Sequence, residues 1–81
     1  MERGLVSIMI LAWNSADEIV DGVRAALAQR YAPVEVLVLD NASTDETRDL
    51  LADEFGERIR LICFEENLGY TGGYNRGLRL A

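Results

Sequence analysis

The run Val38-Leu39-Asp40-Asn41-Ala42-Ser43-Thr44-Asp45 changes character at one residue. An apolar stretch of strand type ends in an aspartate, and a polar turn then leads into a helix start. In an open parallel sheet, ligands bind beyond the carboxyl ends of the strands. Asp40 is thus a carboxylate held where a ligand would sit. Val6 to Leu11 ends in the same way, in Ala12, Trp13 and Asn14. Two adjacent strand ends would together offer an aromatic ring, a side-chain amide and a carboxylate. That set suits a flat heterocycle, with Trp13 packed on its face and Asp40 accepting a hydrogen bond from a ring N–H. The plainer reading of Asp40 is a turn aspartate bonded to local backbone amides, and that of Trp13 a core or rim aromatic.

Other chemistry is excluded by what is missing. The eight cations are all arginine, so a phosphate loop of the G-x-x-x-x-G-K-S/T type cannot form. With no histidine, the usual general base and the commonest metal ligand are lacking. Ala12-Trp13-Asn14-Ser15 contains no glycine, whereas a dinucleotide fold needs G-x-G-x-x-G at its first strand–helix turn. A net charge of −6 argues against nucleic acid or an anionic membrane as partner. The single cysteine, Cys63, forms no internal disulfide and sits in an apolar run, which predicts a buried thiol. Asp49, Asp53, Glu54 and Glu57 belong to a solvated helix face.

These residues need a scaffold, and the pattern supplies β-α-β-α-β-α over 81 residues, enough for one small domain. Val6 to Ala12, Val34 to Leu39 and Ile59 to Phe64 read as strands, the first nearly continuous in apolar residues, as expected when both sheet faces are covered. Ser15-Ala16-Asp17-Glu18 and Ser43-Thr44-Asp45-Glu46 match capping boxes. The first helix runs to about Gln29 on a stripe of Ile19, Val20, Val23, Ala26 and Leu27, and ends at Tyr31-Ala32-Pro33. The second turns Leu50, Leu51 and Phe55 inward and is capped by Gly56. The third begins near Thr71 and reaches the chain end. Right-handed crossovers then give a three-layer α/β arrangement, half of a doubly wound, Rossmann-like sheet with strand order 3-2-1. Gly69, Gly73 and Gly77 recur at one helical face, predicting close packing, and Asn75 in that segment is a further candidate for the site.

The three segments Val6–Asn14, Val38–Asp45 and Glu66–Gly77 resemble, in register, the amino-terminal part of family 2 glycosyltransferases with the GT-A fold. The third, Glu66-Asn67-Leu68-Gly69-Tyr70 with the later Asn75-Arg76-Gly77, is similar to the rhamnosyltransferase-like branch. The resemblance implies transfer of a sugar from a nucleotide-diphosphate donor, a UDP- or dTDP-sugar, to a glycan or lipid-linked acceptor in polysaccharide biosynthesis. It implies that Ala12, Trp13, Asn14 and Asp40 line the base, with Asn67, Gly69 and the start of the third helix, including Asn75, beside the nucleoside. The full-length family uses a divalent metal, Mg or Mn, held by an Asp-x-Asp at the end of a fourth strand. No Asp-x-Asp occurs here, so residues 1–81 are expected to be a truncated half-domain that binds no metal, holds no catalytic base and is inactive alone.

The alternative is a noncatalytic α/β module that associates through the edge of strand one. That edge is apolar and carries no charge, proline or bulge, which invites pairing into a homodimer. A receiver-like phosphoacceptor domain is disfavoured, since strand one ends in Trp13-Asn14 and lysine is absent. The longest apolar run, Leu5 to Trp13, is too short to span a bilayer and lacks a cleavage site, so a cytoplasmic place is expected, with a peripheral one at the inner face of the membrane compatible.

Overall fold

The structure, a computed structural model, describes residues 6–29 and 33–80. The elements follow in the order β1 (Val6–Ala12), α1 (Ile19–Leu27), β2 (Val34–Asp40), α2 (Thr47–Phe55), a 3-10 turn (Gly56–Arg58), β3 (Arg60–Cys63) and α3 (Gly69–Leu80). β2 is central and pairs parallel with β1 and with β3, as the alternating pattern requires. The register runs from Val6 opposite Val34 to Ala12 opposite Asp40, and from Leu37 opposite Arg60 to Asp40 opposite Cys63. All three strands therefore finish at one level, which brings their polar turns to one end of the sheet.

The period-two pleat divides the strands between two layers. Ala12, Val36 and Val38 join Ile19, Val23, Ala26, Leu51, Phe55 and Ile59 in the core beneath α1 and α2. Met9, Leu11 and Leu39 turn the other way and meet α3. The expected stripe of α1 is all inward: Ile19, Val23 and Ala26 are buried, with Val20 and Leu27 packed against the same cluster. The expected Tyr31-Ala32 end of that helix lies outside the described residues.

Several local expectations need correction. Neither capping box forms. Glu18 N–H and Ile19 N–H donate to the Ser15 carbonyl, while the Ser15 hydroxyl turns back to the Trp13 carbonyl. At the second helix Asp45 caps in place of Ser43, its Oδ1 accepting from Thr47 N–H at 3.0 Å. Ser43 is diverted to Asp40. Strand three is shorter than expected, Arg60–Cys63, and α3 starts two residues early, at Gly69. Cys63 is exposed rather than buried, because it ends a strand with a neighbour on one side only. Partial desolvation still pushes its thiol above the ordinary value. Gly56 does cap α2, at φ +51°, a backbone that favours glycine.

The glycine face is confirmed for Gly73 and Gly77, which are buried, whereas Gly69 is exposed with φ +72° at the helix start. A Cβ on Gly73 would lie 2.6 Å from Leu11 Cδ1, and one on Gly77 would run into Leu39 Cδ1 and stand 3.1 Å from Met9 Sδ. Leu39 is fully buried and cannot swing aside. Gly77→Ala is therefore expected to destabilise by about 1–3 kcal/mol through overpacking, despite the helix-propensity gain of up to about 1 kcal/mol. Gly22→Ala, where a Cβ meets nothing within 4 Å, is expected to stabilise. Urea midpoints of the two variants check this; a Gly77→Ala protein as stable as the parent contradicts the close packing of α3.

Candidate functional site

Asp40 closes β2 and Asn41 follows it, and being consecutive they point to opposite faces. Asp40 has no exposed surface. Its carboxylate accepts from Ser43 N–H at 3.1 Å and from the Ser43 hydroxyl, and forms an ion pair with Arg48 Nε of α2. Arg48 also donates from Nη2 to the Phe64 carbonyl at 2.9 Å, tying the end of β3 to the same point, and the Asp40 carboxylate raises its pKa further. On the other face Asn41 Oδ1 accepts from Leu68 N–H at 2.7 Å, and its Nδ2 donates to the Gly69 carbonyl at 3.1 Å. Asn67 Oδ1 accepts from Gly69 N–H at 2.7 Å, which completes the turn into α3.

The turns after β1 and β2 are laced together in the same way. Asn14, in the left-handed region at φ +46°, donates its N–H to the Ser43 hydroxyl and accepts at Oδ1 from Thr44 N–H at 2.7 Å. Ser15 N–H donates to Thr47 Oγ1, and Ala16 N–H to Asp45 Oδ2. Asp45 thereby holds both helix starts. The Thr47 hydroxyl, with the backbone amides, holds its carboxyl below the usual range.

A cleft of about 290 Å³ opens at this end of the sheet, lined by Leu11, Trp13, Ser15, Asn41, Asn67, Gly69 and Tyr70. Of the residues expected at the site, it brings together Trp13, Asn67 and Gly69. Ala12 and Asp40 lie fully buried at the strand ends behind it, and Asn14 is engaged in the clasp to the second turn. Asn75 is exposed and lines neither this cleft nor the larger one below, since two residues from Gly73 is more than half a turn around the helix. Sequence reasoning missed Asn41, Arg48 and Tyr70. Asn41 was recoverable, as the residue after a strand-end aspartate must face the other layer. Arg48 was too, as the one cation between Arg30 and Arg58.

A larger cleft of about 670 Å³ lies along β3, lined by Ile62, Cys63, Phe64, Glu65, Glu66, Leu68, Arg76 and Leu80. Its charged lining is mixed, Glu65 and Glu66 with Arg76, and it lies on the β3 side of the sheet, with no residue of β1 in its lining. Among the described residues no three His, Cys, Asp or Glu side chains converge to hold a metal ion, so these residues do not fit the divalent metal of the resemblance. No described helix is long and apolar enough to cross a membrane.

Residues 7–81 match the family model described as glycosyl transferase family 2. The chain belongs to that family. It is 42% identical over 76 residues to the succinoglycan biosynthesis protein ExoO of Rhizobium meliloti (strain 1021), covering 94% of this chain and 22% of that protein. It is 39% identical to the UDP-Glc:alpha-D-GlcNAc-diphosphoundecaprenol beta-1,3-glucosyltransferase WfaP of Escherichia coli, covering 95% and 31%. To the succinoglycan biosynthesis protein ExoU of Rhizobium meliloti (strain 1021) the identity is 37%, covering 94% and 22%. The chain thus spans between about a fifth and a third of the length of these relatives. Their names do not specify the rhamnosyltransferase-like branch.

Two hydrogen-bonded carboxylates, Asp45 in the clasp and Glu35 near the start of β2, have a consequence for pH. Arg60 and Ser7 hold Glu35 below the usual carboxylate range, as Thr47 holds Asp45. A carboxylate with a lowered folded pKa contributes stability that is complete above its unfolded value and is lost as pH falls through the folded one. Stability is expected to be level from neutral pH to about 4 and to fall below that, more gently in Asp45→Asn. Urea midpoints against pH check this, and a decline already between pH 7 and 5 contradicts it.

Proposed function

We propose that this chain carries the base and nucleoside part of the donor site of a nucleotide-sugar-dependent glycosyltransferase. The observation behind the reading is the cleft at the carboxyl ends of β1 and β2 in a family 2 chain, walled by Trp13 and floored by the side-chain amides of Asn41 and Asn67. The donor is a UDP- or dTDP-sugar, and a glycan or lipid-linked acceptor completes the reaction. WfaP is named for glucosyl transfer from UDP-Glc to a diphosphoundecaprenol acceptor, which supports that class. With no fitting metal ligands among the described residues, base binding by this chain is independent of a divalent metal, and the 81 residues alone transfer no sugar.

Asp40 is proposed to accept the ring N–H of the base. An ionised carboxylate offers about four acceptor positions, and three are occupied here. Because the side chain is fully buried, contact requires the Ser43 turn to part from it. Calorimetry with UDP on the 81-residue chain tests the reading. Binding that persists in EDTA, without release of UDP from a UDP-sugar, is expected. Asp40→Ala is expected to cost about 1.5–3 kcal/mol of affinity in the folded protein. Unchanged affinity would leave Asp40 a framework residue, and turnover by the chain alone would contradict its inactivity.

The free edge of β1 is proposed to pair with a second copy when the chain is alone in solution. Among the described residues β1 has β2 as its one strand neighbour, and Val6 is exposed at its start. Sedimentation at micromolar concentration is expected to show a dimer, and a folded, strictly monomeric species refutes it.

A further inference from the structure

α3 sits off-centre on the sheet. Gly73 seats it against Leu11 of β1, and Gly77 against Met9 of β1 and Leu39 of β2, so it runs over those two strands. Its two flanks then differ. Arg76 and Leu80 turn toward β3, where they line the larger cleft. Tyr70, Tyr74 and Leu78, spaced four apart, form a stripe on the other flank. The Tyr74 hydroxyl reaches the backbone of Leu11, and the Tyr70 and Tyr74 rings meet at 5.2 Å, which places this stripe along the free edge of β1. The stripe carries no charge, yet Tyr70 is 76% and Leu78 63% exposed. Val6 and Trp13, two more exposed large apolar side chains, border the same edge at the two ends of β1. An apolar border gathered on one side of a molecule marks an interaction surface.

The backbone of that edge offers little by itself. Val6 N–H and the Ala12 carbonyl bond inward, to Pro33 and Asn41. By strand alternation the backbone groups of Ser7, Met9 and Leu11 face outward, and Tyr74 already meets Leu11. Pairing through Ser7 and Met9 gives few bonds, so a stable contact needs side chains as well, and symmetry brings them. Two copies of β1 related by a twofold axis pair antiparallel in one continuous sheet. The axis stands normal to that sheet, so both α3 helices lie on the same face. Strands are about 4.8 Å apart, and a helix seated between β1 and β2 is one such spacing from the axis. The two helices then run about 10 Å apart, close to the roughly 8–10 Å of packed helices.

We propose that the Tyr70, Tyr74 and Leu78 flank of α3 docks on the same flank of a second copy across that axis. Docking of the helices rests on the β1 pairing proposed above and supplies most of its buried apolar area.

Sedimentation equilibrium of the 81-residue chain over a micromolar concentration series tests this. The wild-type chain is expected to dimerise. Leu78→Glu and Tyr70→Glu, both at exposed positions and checked for folding by circular dichroism, are each expected to raise the dimer dissociation constant at least about tenfold, because a carboxylate would be buried without a partner. Arg79→Gln lowers the net charge by the same amount as either, from a position turned about 100° around the helix from Leu78, and is expected to stay within about twofold. Glutamate variants that dimerise as tightly as the wild type would overturn the docking of α3 and leave the edge pairing standing. An equal loss in Arg79→Gln would assign the effect to charge and overturn the docking too. A folded, strictly monomeric wild type would overturn the docking and the edge pairing together.

Discussion

At the end of β2 two polar side chains leave the strand in opposite directions, and the positions of the surrounding turns follow from them. Asp40 goes into the layer of α1 and α2, where it gathers the Ser43 turn and Arg48, and through Arg48 the end of β3. Asn41 goes into the layer of α3, where it gathers Leu68 and Gly69. A buried carboxylate is tolerated only when it is paired and hydrogen-bonded, so the aspartate dictates a cation at position 48 and a donor-rich turn after the strand. The reach of a short amide side chain similarly dictates that the 67–69 turn lie against the sheet. The cleft is the space these two sets of bonds leave open.

The same pair explains which parts of the molecule could be read from its residues. Strand order follows from alternating elements joined by right-handed crossovers, and the stripe of α1 from periodicity, and both were legible. The glycine face of α3 was legible at Gly73 and Gly77, where backbone must approach Leu11 and Leu39. What local pattern misread were the caps. Ser15 and Ser43 have the right neighbours for capping boxes, but tertiary partners took their hydroxyls: the Trp13 turn in one case and Asp40 in the other. Cys63 was misread because an apolar run does not reveal whether its strand is central or at the edge. Trp13, Asn67 and Gly69 were singled out and do share a cleft, while Asn75 was placed by motif alone and lies elsewhere on its helix.

The chemistry available at this end of the sheet is recognition rather than reaction. The cleft offers rings and amides, with no charged side chain in its lining. The carboxylate at the end of β2, Asp40, is occupied by three donors. Such a surface reads the flat, neutral part of a ligand. The −6 net charge makes the rest of the chain a poor anion binder.

The central claim is that the cleft formed around Asn41 is where a nucleotide binds. A titration of the isotope-labelled chain with UDP, followed through its backbone amide resonances, tests this residue by residue. The account predicts shifts concentrated at Trp13, Ser15, Asn41 and Asn67 to Tyr70, with the amides of Ile62 to Glu66 and Arg76 at the larger cleft little changed. Shifts centred on that larger cleft, or none at any concentration of UDP, would contradict it.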